Sequence, residues 1–520
     1  MGWWRDAVFY QIYPRSFADS DGDGVGDLPG IIGRLAHLKD LGVDAVWLSP
    51  CYRSPMVDFG YDISDYRDID PVFGTLRDFD ELLSAAHGMG LRVVLDLVAN
   101  HTSDRHPWFQ ESRSARDAPR RDWYVWADPA EDGGPPNNWL STFPDTGAAW
   151  TFDEATGQYY LHSFTRNQPD LNWWNPAVRQ AMTEVMRFWL DRGVDGFRFD
   201  VPHRLIKDRA LQDNPPDVAH LRKATGAPPG RQRHIDRPEV HEVLRALRAV
   251  LDDYPDRVAV GEVGVTDSGR LTAYYGDDDE LNLLFNFAFW SQPWSANGFR
   301  DAVAVVEATT PAHAWPTYAL SNHDLPRAAH RYAEDGHGPA RARLAAMMLL
   351  TLGGTPFLYY GEEIGMTDVP VPAQRAHDPD GRDGCRAPML WDENRHAGFT
   401  LGTPWLPIAA DAPAINVAVQ RARPDSLLNL YRKLLALRRT HPALTEGAYR
   451  VADFGDDRVF AYHRETGDER LLVALNFAAT SVTAPMALAD ARLLCSTHPG
   501  STGSGGLRLG PHEGILVSIG

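Results

Sequence analysis

The chain has little that would tie it to an oxidising compartment, a membrane or a polyanion. Its 520 residues include only 3 cysteines, Cys51, Cys385 and Cys495. They are widely spaced and odd in number, which argues against a disulfide framework and against a cysteine-ligated zinc site. No run of about 18 apolar residues occurs, so no transmembrane helix is expected. The opening Met1-Gly2-Trp3-Trp4-Arg5-Asp6 lacks the basic and apolar stretches of a secretory signal, and a cytoplasmic location is the expectation. Positive charge is scarce: 51 Lys and Arg against 70 Asp and Glu leave a net charge of −19. Such a chain suits neither nucleic acid nor an anionic membrane surface, and is compatible with a neutral ligand. There is no internal repeat, and the one biased stretch is a short Ser/Gly turn at 501–506.

What is present is an alternation of two periods. Strand-length apolar runs fall at 7–13, 44–48, 92–98, 194–199, 257–260, 281–287, 316–320 and 356–359. Helical patterns fall at 29–41, 76–89, 176–192, 238–251 and 426–439. Eight strand candidates in this rhythm predict an α/β fold, a (β/α)₈ TIM barrel, whose site lies at the C-terminal ends of the strands. The expected barrel comprises 1–102 and 170–441. An inserted subdomain, 103–169, follows strand three, and a second polar, Pro-rich interruption spans 204–237 after strand four. Short strand patterns after 442 predict a C-terminal β-sandwich over 442–520.

Chemistry collects where the strands end. Asp96…Asn100-His101 follows the third strand, Arg198-Phe199-Asp200 the fourth, Glu262 the fifth, and Asn322-His323-Asp324 the seventh. Alternation places Arg198 and Asp200 on one face, where the guanidinium favours an ionised Asp200. Apolar neighbours raise Glu262 and favour its holding a proton. Three acids, an arginine and two histidines are the groups needed to cleave a glycosidic bond, one carboxyl attacking and another protonating the leaving oxygen. Singly, each motif also reads as a structural salt bridge, a helix cap or a turn; it is their order after the right strands that carries the argument.

These segments resemble the four sequence regions of the α-amylase superfamily, glycoside hydrolase family 13, and within it the α-glucosidase and oligo-1,6-glucosidase branch. The likeness runs from Tyr10-Gln11-Ile12-Tyr13-Pro14-Arg15 to the C-terminus, and Gln168-Pro169-Asp170-Leu171-Asn172 resembles a further marker of that branch. Leu205–Asp208 and Pro238–His241 resemble an actinobacterial α-glucosidase group. The resemblance implies Asp200 as nucleophile, Glu262 as acid/base and Asp324 as the third carboxylate. It makes Arg198, His101 and His323 contacts in a terminal-glucose pocket supported by Asp96, with Tyr61 under the sugar ring. It pairs Asp58 with Arg386 across the far end, closing the pocket to all but a chain end, and brings Phe164 and His203 to the neighbouring subsite. The implied activity is retaining, exo-acting hydrolysis of short α-glucosides, with transfer where a sugar hydroxyl replaces water. Val201 after the nucleophile goes with α-1,6 cleavage in that branch, but Pro202-His203-Arg204 departs from its pattern. Gly264 stands where many relatives carry an aromatic residue, which implies a wider acceptor subsite.

Asp19-Ser20-Asp21-Gly22-Asp23-Gly24-Val25-Gly26-Asp27 has the acid spacing of a calcium loop, although Gly30 replaces the closing Glu and no helix precedes it. It resembles the metal loop of oligo-1,6-glucosidases. Asp19, Asp21, Asp23, the Val25 carbonyl and Asp27 are expected to hold structural Ca²⁺ or Mg²⁺; no organic cofactor is expected. Partners are small α-glucosides, with the chain a monomer or homodimer. Two other readings stand beside this one: a glucosyltransferase or sucrose isomerase on the same scaffold, and a non-catalytic relative serving as a binding subunit. Leu325–Arg331 does not resemble the Arg-rich isomerase loop, and the presence of all three acids argues against the second.

Overall fold

The computed structural model describes residues 2–223, 231–483, 491–498 and 508–519. The 501–506 turn lies outside the described residues, as does part of the interruption after strand four. Eight short parallel strands form the centre: β1 (Phe9–Ile12), β2 (Ala45–Leu48), β3 (Arg92–Leu97), β4 (Gly196–Phe199), β5 (Val258–Gly261), β6 (Leu283–Leu284), β7 (Thr317–Ala319) and β8 (Thr355–Tyr359). The sheet order is β6-β5-β4-β3-β2-β1-β8-β7, every pair parallel. Among the described residues β6 and β7 share no strand pairing. The Thr317 hydroxyl spans that seam instead, donating to the Leu284 carbonyl at 2.5 Å. This is the expected (β/α)₈ barrel.

Each strand is followed by a helix: α1 (Leu28–Leu41), α2 (Leu76–Gly88), α3 (Pro176–Arg192), α4 (Val240–Asp252), α5 (Ser268–Thr272), α6 (Ala296–Thr309), α7 (Gly338–Thr351) and α8 (Leu427–Thr440). Their ends follow local chemistry. Thr75 and Asp78 form a reciprocal capping box on α2. Asn175 caps α3, whose C-terminus closes on Gly193 at φ +104, a conformation glycine adopts without penalty. The sixth strand is shorter than its apolar run, 281–287, because the Asn286 side chain accepts the Phe289 N–H at 3.0 Å and starts a helical turn, Phe287–Trp290.

The barrel interior is packed with aromatic side chains. Phe9 stacks on Phe357 with centroids 4.6 Å apart, and Phe285 meets Phe357 edge-on at 4.8 Å. Such pairs add about 0.5–1.5 kcal/mol each beyond burial. This plug closes the lower barrel, so polar side chains reach the axis only at the top.

Three additions surround the barrel. A hairpin of Tyr52–Arg53 and Asp65–Ile69 lies between β2 and α2 and was not evident in the sequence. Within the stretch after β3, Trp126–Ala127, Gln158–Leu161 and Trp150–Asp153 pair antiparallel in that order. Beyond α8, five antiparallel strands run Ala448–Val451, Val459–Glu465, Arg470–Asn476, Gly514–Ile519, Arg492–Ser496, with Val482–Thr483 paired to Arg508–Leu509. Both faces of the central strands are buried, one in a cluster with Phe454 and Leu509, the other against the barrel core, so Leu471–Leu475 reads as a continuous apolar run. No described helix is long and apolar enough to cross a membrane.

Candidate active site

Neighbouring strands deliver the charged centre. Asp96 on β3 and Arg198 on β4 are register partners. Arg198, 1% exposed, donates from Nη1 to Asp96 Oδ1 at 2.6 Å and to Asp200 Oδ1 at 2.9 Å; its Nη2 bonds Glu262 Oε2. The expected Arg198–Asp200 pair is present. The sharing of the same guanidinium by Glu262 was not foreseen. Immediately after Asp200 the chain turns sharply. Val201, β-branched and before a proline, adopts φ +38 and ψ +49, a conformation costing on the order of 1–3 kcal/mol.

Burial raises both acids; the Asp200 charge adds to the rise of Glu262, and the charges of Asp96 and Asp324 to that of Asp200. Glu262 is pushed up to about 8, with Arg198 opposing the shift. Asp200 is also raised, by burial first, while Arg198 draws it down. The hydrogen bond between the two raises Glu262 and lowers Asp200, so Glu262 is the member of the pair that keeps a proton more readily. Asp324 goes the other way: against the raising effect of burial, His323 and the guanidiniums of Arg382 and Arg386 hold it well below the usual carboxylate range. Burial drives His101 down to about 4 and His323 to about 3, so both rings are neutral. The His323 tautomer follows from its partners. Gln11 Nε2 donates to Nδ1 at 2.8 Å, Nε2 donates to the Tyr61 hydroxyl at 2.7 Å, and that hydroxyl donates to Asp96 Oδ2 at 3.0 Å.

These groups line a cavity of about 340 Å³ bounded by Asp58, Tyr61, His101, Phe164, Asp200, His203, Glu262, His323, Asp324 and Arg382. That lies within the usual range for small-ligand pockets, about 300–1,000 Å³. Tyr61 and His323 stack 5.3 Å apart and nearly parallel. Phe164 packs on Phe143 at 5.6 Å and on His101 at 5.2 Å.

The far end corrects one expectation. Asp58 pairs with Arg382, not Arg386: Arg382 Nη2 reaches Asp58 Oδ1 at 2.6 Å, and its Nη1 reaches Asp324 Oδ1 at 2.8 Å. Arg386 lies one turn behind, bonded to the His323 carbonyl at 2.8 Å, Asp378 at 2.9 Å and Asp324 at 3.2 Å. Both arginines sit on the short 3₁₀ turn Arg382–Arg386, and only the first projects into the cavity. Asp378 takes both guanidiniums.

Several supporting contacts were not assigned by the sequence. Asp62, fully buried, accepts the Val57 and Asp58 N–H groups at 3.0 Å each and the Ser54 hydroxyl at 2.8 Å, shaping the loop that presents Asp58. Gln168 donates to Asp58 Oδ2 at 3.0 Å and lies 3.2 Å from His101 Nε2. This gives a physical role to the Gln168–Asn172 segment. Lys207 bonds Asn100 Oδ1 at 2.6 Å and Asp170 Oδ2 at 2.8 Å, stitching the ends of β3 and β4 to the inserted segment.

With this geometry in place, the comparisons are decisive. The model of the α-amylase catalytic domain matches residues 11–447, and a domain of unknown function, DUF3459, matches 446–516. The chain belongs to the α-amylase family. A probable α-glucosidase of Rhizobium meliloti is 45% identical over 502 residues, 92% of this chain and 90% of that protein. An oligo-1,6-glucosidase of Parageobacillus thermoglucosidasius is 43% identical over 516 residues, 91% of this chain and 90% of that one. Among solved structures, the α-glucosyl transfer enzyme XgtA superposes with a TM-score of 0.93 at 44% identity over 100% of both chains. A trehalulose synthase, MutB, gives 0.93 at 36%, again over 100% of both. This α-amylase-family member is an enzyme of the glycoside hydrolase class.

The acidic loop after β1 sits apart from the cavity. Asp19, Asp21 and Asp27 bring carboxylate oxygens within 4.8 Å of one another. Asp23 stands outside that group, its Oδ1 taken by the Val25 N–H at 2.7 Å, which departs from the expected five-donor set. Gly24 and Gly402 allow close contact here. A Cβ on Gly24 would lie 1.9 Å from the Thr403 carbonyl oxygen, and one on Gly402 2.0 Å from that of Gly22. The donors are all hard oxygens, and Asp23 is raised by burial with Asp21, Asp19 and Asp27 adding repulsion. A divalent cation would relieve that repulsion.

Proposed function

We propose that the enzyme is an exo-acting, retaining α-glucosidase for short α-glucosides. Asp200 attacks the anomeric carbon while Glu262 gives its proton to the leaving oxygen. The resulting β-glucosyl-enzyme is then attacked by water, whose proton passes to Glu262 as Asp200 leaves. The observation that carries the reading is the binding of Asp200 and Glu262 to the two ends of one buried guanidinium. Two carboxyls sharing one guanidinium lie close together, which favours a retaining pair, about 5–5.5 Å apart, over an inverting pair at about 6.5–9.5 Å with a water between. Asp324, His101, His323 and Arg198 hold the terminal ring, with Tyr61 beneath it and Phe164 beside the next sugar. The Asp58–Arg382–Asp324 ion cluster closes the far end, which restricts entry to a chain terminus. Its test is product analysis with maltose, isomaltose, sucrose and trehalose: glucose released singly from one or more supports the reading, and internal cutting of longer α-glucans opposes it.

A second reading, net glucosyl transfer, is favoured by the 44% identity to XgtA over the whole chain. It uses the same first step and differs only in the acceptor. The Asp19, Asp21 and Asp27 cluster is proposed to hold Ca²⁺ or Mg²⁺ as a structural ion, with the Val25 carbonyl and Asp23 as further donors.

A further inference from the structure

We infer that Arg15 is a positioning residue for Asp58: its guanidinium, packed against Phe59 and Trp405, fixes the loop that aims Asp58 at the terminal sugar. The inference rests on the reading that the Asp58–Arg382–Asp324 cluster recognises that sugar. Arg15 lies in the first turn after β1 and does not line the cavity. Its Cζ stands 5.2 Å from the Phe59 ring centroid, 5.0 Å from that of Trp405 and 5.9 Å from that of Phe73. Phe59 and Trp405 are themselves 5.5 Å apart and tilted by 38°, so the cation and the two rings form a triangle. Nε and Nη1 of Arg15 are buried and have no hydrogen-bond partner among the described residues. The ring faces therefore stand in for the hydrogen bonds that a buried guanidinium ordinarily makes.

Phe59 needs such a hold. It follows Asp58 directly and adopts φ +45, and Met56 nearby adopts φ +63. A bulky residue keeps a left-handed backbone only where its surroundings impose it. Asp62 holds the loop from one side by accepting the Val57 and Asp58 N–H groups. Arg15 and Trp405 hold it from the other, through the Phe59 ring. Both are anchored. The Gly26 N–H donates to the Arg15 carbonyl at 2.7 Å, the Trp405 N–H to the Gly24 carbonyl at 3.0 Å, and the Trp405 Nε1–H to Ser16 Oγ at 3.1 Å. Trp405 also meets Tyr13 at 6.4 Å, and Tyr13 stacks on His323 at 6.0 Å. One aromatic block thus backs both Asp58 and His323. Loss of the cation frees Phe59 to leave its left-handed conformation, and Asp58 to turn from Arg382 and Gln168. The sugar is then held less tightly, while Asp200 and Glu262 keep their shared guanidinium.

The test measures kcat and KM for 4-nitrophenyl α-glucoside, with circular dichroism checking each variant for its fold. Arg15→Met keeps length and bulk without charge. It should raise KM about five- to tenfold and leave kcat within about twofold, the pattern of lost binding rather than lost chemistry. Arg15→Lys, which keeps a cation over the rings, should recover much of the KM. Phe59→Leu should raise KM to a similar extent, and Arg15→Met added to it should do little more, because the two act through one contact. An unchanged KM in Arg15→Met or in Phe59→Leu overturns the inference. So does Arg15→Lys no better than Arg15→Met, which makes the role one of packing, or a double variant in which the two effects multiply. Should Arg15→Met fail to fold, the KM of Phe59→Leu decides alone. Arg382→Met separates the two levels. A raised KM there beside an unchanged one in Arg15→Met defeats the role of Arg15 only; an unchanged KM there defeats the reading of the far wall itself.

Discussion

The two ends of the cavity are built on opposite lines. The far end is an ion cluster in which Arg382 bonds Asp58, Asp324 and Asp378, and Arg386 bonds Asp324 and Asp378 from behind. Asp58, Asp378 and Arg386 are buried, Arg382 and Asp324 are partly exposed to the cavity, and each has its partners in the protein. The remaining lining includes the uncharged Val201, His203, Gly264, Thr266, Phe287 and Leu325, beside the charged Arg204, Lys223 and Asp380. A closed ionic wall recognises one ligand strictly, because any poor fit leaves a buried charge unpaired. A wall built mostly of small and aromatic groups accommodates many. Under the proposed reading, the contrast assigns strict recognition to the terminal glucose and tolerance to whatever is joined to it.

The sharpest way to break the comparison lies at its midpoint. Asp200→Asn should lower turnover by about 10⁴–10⁶-fold while circular dichroism and melting temperature show an intact fold. Near wild-type activity would remove Asp200 from the nucleophile's role. Next in size is Glu262→Gln, with a loss of about 10²–10⁴-fold. The pH profile of kcat/KM sharpens this. Activity needs Asp200 ionised and Glu262 protonated, so it falls on the acid side as Asp200 gains a proton and on the alkaline side as Glu262 loses one. Because burial raises both, the acid limb lies above the ordinary carboxylate range and the alkaline limb near about 8. The Gln variant should lack the alkaline limb.

The far wall comes third. Arg382→Met leaves Asp58, Asp324 and Asp378 without their common partner, and kcat/KM for disaccharides should fall about 10²-fold, equivalent to about 2.8 kcal/mol. Arg386→Met should act mainly on melting temperature, since Arg386 lies behind the wall. The reverse order of effects would restore the Asp58–Arg386 pairing that the structure replaces. The smallest effect belongs to the acidic loop. A chelator should lower the melting temperature by a few degrees, restored by Ca²⁺ or Mg²⁺, because an ion at a hundredfold excess over its Kd contributes about 2.7 kcal/mol. No change on chelation would leave Asp19, Asp21 and Asp27 as a solvated turn.

The barrel and the charged centre were legible because strand ends are short, apolar and punctuated by the very groups that do chemistry. Asp96, Arg198, Asp200 and Glu262 all fall within one or two residues of such an end. Other features were hidden for definite reasons. Arg382 and Arg386 are four apart in one turn, and sequence spacing does not say which faces the cavity. Asp62 looks like an ordinary polar loop residue, and the motifs that contain Gln168 and Lys207 carry no sign of what those side chains touch. Their work is to satisfy backbone groups and carboxylates brought close only by the fold. The sixth strand was over-read because an apolar run continues into a helical turn that Asn286 initiates.

The measurement that tests the central claim most directly is proton NMR of the first sugar released from maltose, recorded before mutarotation. Attack by Asp200, followed by water from the opposite face that the leaving group vacated, predicts that α-glucose appears first and β-glucose grows in later. Initial β-glucose would mean that Asp200 and Glu262 act as an inverting pair, and would contradict the reading of their shared guanidinium.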